Sequence, residues 1–149
     1  MAITNHERIG KCLEQLTAGL RPFIECELKN NYQDDWFAET RKTLSATQVD
    51  FFGTPDQPKW DTASLLATLW NQWNEVFKKV LGHTERSLVS ELRDVRNKWA
   101  HQQTFTTDVL GWSRHRDFGG ILRRRFRLRQ TFPHVFHFIF LVHFLPHHS

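Results

Sequence analysis

The stretch Glu91-Leu92-Arg93-Asp94-Val95-Arg96-Asn97-Lys98-Trp99-Ala100-His101 sorts apolar and cationic residues onto different sides of one helix. At 100° per residue, Leu88, Leu92, Val95 and Trp99 fall at i, i+4, i+7 and i+11 and make a narrow stripe for burial. Arg93, Asn97 and His101 follow at i, i+4 and i+8 on a second face, with Arg96 at its flank. A cation, an amide and an imidazole therefore project from a support that the apolar stripe holds in place.

That grouping has a chemical use. RNA is cut without a metal when one group takes the proton of a ribose 2′-hydroxyl and another stabilises the crowded phosphorane. An imidazole exchanges protons near neutral pH, and a guanidinium offers a planar fork to phosphate oxygens. An amide beside them orients either partner. The competing reading of Arg93, Arg96 and His101 is a solvated face, with a histidine capping the negative end of the helix.

Arg96-Asn97-Lys98-Trp99-Ala100-His101 resembles the signature of the HEPN superfamily, an arginine followed four to six residues later by histidine, with a polar residue often directly after the arginine. Upstream, Asp61 to Phe77 with Leu65-Leu66, Trp70, Trp73 and Val76-Phe77, then Glu85-Arg86-Ser87-Leu88-Val89 and Glu91-Leu92-Arg93, is similar to the Swt-type HEPN branch. That branch occurs in a transcript-surveillance endoribonuclease and at the front of some bacterial ATPases. The resemblance covers residues 5–108. It implies an all-α, HEPN-like bundle of four or five helices, a homodimer in which two signature helices meet, RNA as partner, and a role in defence or RNA surveillance. It also implies catalytic roles for Arg96, Asn97 and His101: His101 as general acid or base, Arg96 as phosphorane stabiliser and Asn97 as orienter. Arg93, chosen by helix geometry, and Lys98 join them as RNA-binding cations. The expected products are a 2′,3′-cyclic phosphate and a 5′-hydroxyl, with no metal or other cofactor. The rival is a non-catalytic dimerisation or interaction module serving an ATPase or nuclease partner.

The chain's 149 residues, 40% hydrophobic with six Trp and thirteen Phe, suffice for one domain that buries about 70% of its unfolded surface. The net charge of +4 is unevenly placed. Residues 1–108 hold 13 Lys+Arg against 15 Asp+Glu, a net of −2, and residues 109–149 hold 7 against 1, a net of +6. Affinity of the body for phosphate must therefore come from a local patch such as Arg93, Arg96 and Lys98. Cys12 and Cys26 are the only cysteines, and the expectation is two reduced, buried thiols. No basic region followed by an apolar run opens the chain, so a cytoplasmic protein without a membrane partner is expected. No carboxylate cluster for two metals and no phosphate-cradling glycine loop is visible.

Along the chain, Thr4 or Asn5 caps a first helix whose stripe is Ile9, Leu13, Leu16, Leu20, Ile24 and Leu28, with a bend or restart expected at Gly19 and Pro22. Asp34-Asp35 begins a shorter helix carrying Trp36, Phe37 and Leu44. Ser45 to Trp60, broken by Gly53, Pro55 and Pro58, reads as a long loop packing Val49, Phe51 and Phe52 onto the body. Asp61 or Thr62 caps a helix with a wide apolar face, Leu66, Leu69, Trp70, Trp73, Phe77, Val80 and Leu81, that runs to Gly82. Its tryptophans read as core rather than as stacking platforms. Thr84-Glu85 opens the signature helix.

Thr106-Thr107-Asp108 looks like the cap of a last helix, but residues 109–149 change character. They hold 7 Arg, 6 His and 7 Phe with no Ala, Lys, Glu, Asn or Met. An amphipathic tail for RNA or a membrane is one reading. The apolar run from Phe132 to Leu145 is too short to span a bilayer, and the histidine spacing matches no tetrahedral metal site. The preferred reading is an irregular segment translated out of frame. Reading the gene in the neighbouring frame checks this, since a frame giving neither a helix nor a longer homologous domain contradicts it.

Overall fold

Thr4 and Glu7 close a reciprocal cap, with the Thr4 hydroxyl accepting the Glu7 N–H and the Glu7 carboxylate accepting the Thr4 N–H at 2.8 Å. The helix that starts there, α1 (Asn5–Tyr32), is the longest element of a computed structural model that describes residues 3–105. It is followed by a 3-10 turn (Gln33–Asp35), α2 (Trp36–Lys42), α3 (Ala46–Phe51), α4 (Thr62–Asn71), a second 3-10 turn (Phe77–Lys79) and α5 (His83–Ala100). The all-α reading of the sequence stands, with five α-helices among the described residues. The cap at Thr106-Thr107-Asp108 and the tail 109–149 lie outside them.

α1 is the centre of the bundle and packs on α2, α4 and α5. Leu16, Leu20, Ile24 and Leu28 are buried with Leu65, Leu66 and Leu69 of α4 and Val89 and Leu92 of α5. The expected restart at Pro22 does not occur, and α1 continues through the proline. Both Pro22 and Ala18, whose carbonyl the proline leaves without its intrahelical donor, are exposed, so water reaches the orphaned acceptor. The missing bond costs less than the burial on the opposite face of α1 returns. Cys12 and Cys26 both lie on this helix, about 21 Å apart at 1.5 Å per residue, and are free thiols. Cys12 is partly buried, which pushes its thiol pKa up, whereas Cys26 is exposed rather than buried as expected.

Two further expectations are corrected. The stretch Ser45 to Trp60 is not a uniform loop, because Ser45 and Gln48 form a second reciprocal cap and start α3. Within it Phe52 is buried at 1% exposure while Phe51, one residue away, is 74% exposed. The turn after it needs Gly53, whose φ is +85° and where a Cβ would come 2.5 Å from the Gln57 carbonyl oxygen. The helix capped by Asp61 ends at Asn71 instead of reaching Leu81. Gln72 is buried, accepts from the Tyr32 hydroxyl at 2.5 Å and donates to the Glu39 carbonyl at 3.3 Å. An uninterrupted helix would centre Val80 on the face of Leu69. The break after Asn71 re-phases the chain, so that Trp73, Val76, Phe77 and Leu81 are buried and Val80 is exposed.

Candidate site at the end of helix α5

Gly82 precedes α5 as its cap, and its N–H donates to the buried Glu85 carboxylate at 2.8 Å. Glu85, Val89 and Leu92 are buried, and Leu88, Val95 and Trp99 are partly buried, so the stripe is wider than the sequence suggests. A second, smaller core holds the far end of the helix. Ile9 and Leu13 of α1 and Phe105 are buried there, with Val95 and Trp99 packed against them.

Trp99 is the clamp in this core. Its Nε1 donates to the His6 carbonyl at 3.1 Å, and its own carbonyl accepts from His6 Nε2 at 3.0 Å. The two rings stack with centroids 5.3 Å apart and planes 14° from parallel. Gly10 leaves room for the indole, since a Cβ there would sit 3.1 Å from Trp99 Nε1. Asn5 adds a bond from Nδ2 to the Phe105 carbonyl at 3.3 Å.

His101 terminates the helix. Its N–H donates to the Asn97 carbonyl at 3.0 Å, Gln102 N–H to Trp99 O at 3.1 Å, and Gln103 N–H to Lys98 O at 3.0 Å. Gln102 takes φ +53°. This is a Schellman closure with glutamine where glycine is favoured. Gln102→Gly is expected to raise stability by about 0.5–1 kcal/mol, the Cβ penalty of the left-handed region partly offset by greater freedom of the unfolded chain. Thermal melting checks this, and a lower melting temperature contradicts it.

The five residues singled out in the sequence separate into four settings. Asn97 and His101 are exposed one turn apart, and neither side chain has a hydrogen bond or ion pair among the described residues. Arg96 is partly buried, about 100° around the helix from Asn97 and 140° from His101, and also has no salt bridge there. Arg93 is partly buried and lies over the Trp70 ring at 5.2 Å. Lys98 is exposed and leaves the helix about 140° around from Arg93, so those two cations do not share a face.

His6 was not foreseen. Its ring reaches the end of α5 from a position 93 residues earlier, a separation that no local periodicity encodes. The indole-guanidinium contact between Trp70 and Arg93 was missed for the same reason.

The exposed amide and imidazole can bind a phosphodiester and move a proton, and Arg96 adds a guanidinium on the adjoining side of the helix. No group of three His, Cys, Asp or Glu able to hold a metal occurs among the described residues. No helix among them is long and apolar enough to cross a membrane. A family model described as Swt1-like HEPN matches residues 11–113, which include all of α5 and the site at its end. Comparison with curated proteins and with solved structures gives no match.

Proposed function

The chain belongs to the Swt1-like HEPN family, and we propose that it is an RNA-binding HEPN protein that dimerises and cuts RNA without a metal. The observation that carries this reading is the exposed Asn97 and His101 pair, directly preceded by Arg96 in the chain, at a helix end clamped by Trp99. His101 takes the proton of a ribose 2′-hydroxyl, and the 2′-oxygen bonds to the adjacent phosphorus. Arg96 holds the phosphorane charge and Asn97 orients the phosphate or the imidazole. The bond from phosphorus to the 5′-oxygen then breaks and that oxygen takes a proton. The products are a 2′,3′-cyclic phosphate and a 5′-hydroxyl.

Two proton carriers serve these steps, and among the described residues each chain presents one unengaged imidazole at the site because His6 is held by Trp99. Two copies of α5 meeting in a homodimer would bring two His101 side chains to one phosphate. The same single imidazole favours the second reading, a HEPN interaction module that binds RNA or an ATPase partner without cutting. Incubating the full chain with an end-labelled RNA pool in EDTA separates them. Cyclic-phosphate ends support the nuclease; intact RNA beside a folded dimer supports the module.

A further inference from the structure

Toward its N-terminal half, α5 and the end of α4 enclose an open cleft of about 380 Å³ lined by Trp70, His83, Arg86, Ser87, Ser90 and Glu91. The Arg86 guanidinium lies over the Trp70 ring at 5.1 Å and near Trp73 at 5.9 Å, and Arg93 covers the same Trp70 ring at 5.2 Å. One indole thus carries two guanidinium groups. Arg86 forms no salt bridge among the described residues, and its Nε is buried with no hydrogen-bond partner. Glu91 also lines the cleft, and it is not without a partner.

Stacking on an aromatic ring fixes a guanidinium while leaving its terminal donors for a planar acceptor. Much of the conformational cost of binding an oxyanion is then met before the ligand arrives. Ser87 and Ser90 add hydroxyl donors beside these groups. By helical register Arg86, Arg93 and Asn97 lie within about 40° of one another, and Arg86 precedes His101 by about 22 Å along the axis. The cleft and the end of α5 therefore share one side of the helix.

We propose that this cleft is a second phosphate subsite, which holds the backbone of the same single-stranded RNA at a distance from the His101 site. The proposal rests on the RNA-binding reading above but not on catalysis. The cation pair, the hydroxyls and the alignment with Asn97 favour a phosphodiester strand over an acidic protein segment, whose carboxylates the arginines would also accept.

The test is fluorescence anisotropy of the full chain with a labelled 2′-O-methyl oligouridylate, which has no 2′-hydroxyl to react, measured over a range of salt. Arg86→Gln is expected to weaken binding about tenfold and to reduce the slope of log affinity against log salt by about 0.7, one phosphate contact. Ser90→Glu, which leaves the Trp70 stack in place, moves affinity in the same direction. Lys59→Gln, the same charge change on an exposed loop residue, leaves both unchanged. Loss with both cleft variants, seen also in a His101→Ala background, supports the subsite whether or not the chain cuts RNA. Wild-type affinity and slope in Arg86→Gln and Ser90→Glu overturn the subsite alone. No binding by the wild-type chain at low salt overturns both the subsite and the RNA reading. Competition by polyglutamate as strong as by RNA overturns it in favour of an acidic protein partner.

Discussion

Trp99→Ala is expected to lower the stability of the folded chain by about 3 kcal/mol, the lower end for removing a large aromatic from a packed site. The indole is only partly buried, which argues against the upper end. It nevertheless fills the space over Gly10, stacks on His6 and donates to the His6 carbonyl. Removing it takes the indole donor from that carbonyl, which lies within α1, and opens a void beside Ile9, Leu13 and Phe105. Urea unfolding monitored by circular dichroism reads the effect as a lower midpoint at unchanged slope. A change within about 0.5 kcal/mol, the range of ordinary surface substitutions, would show that the clamp does not hold α5. RNA affinity should fall with stability, because Asn97 and His101 depend on this end of the helix for their placement.

The clamp also shows where sequence reading reaches its limit. The apolar stripes of α1 and α5 were legible because helical burial has a period, and Ile9, Leu13, Leu92 and Leu28 are buried where that period puts them. Ser45 and Gln48 carried a readable cap signal that the prolines nearby obscured. The break after Asn71 was not legible, since Trp73, Phe77 and Val80 continue a helical pattern on paper. Gln72 decides it, through partners at Tyr32 and Glu39 that lie 40 and 33 residues away. At the site, spacing alone grouped Asn97 with His101, and it placed Arg93 on their side of the helix. It did not reveal that Arg93 rests on Trp70, or that His6 arrives beside Trp99.

His101→Ala is the complementary experiment, with a large effect on chemistry and almost none on folding. Loss of a positioned acid or base is expected to lower kcat/KM for RNA cleavage by about 10²- to 10⁴-fold, which is roughly 3–5 kcal/mol of transition-state stabilisation. The fold should be unaffected because the imidazole is exposed and unpartnered among the described residues. The structural duty of this position is its N–H bond to the Asn97 carbonyl, which alanine keeps. Arg96→Lys adds a second axis, since lysine retains the charge and loses the planar fork; it should slow cleavage while leaving salt-dependent binding largely intact. Cleavage in EDTA that persists undiminished in purified His101→Ala would remove His101 from the reaction. Unchanged melting, dimerisation and binding in that variant, with cyclic-phosphate products absent, would separate the chemistry of His101 from the scaffold that Trp99 supports.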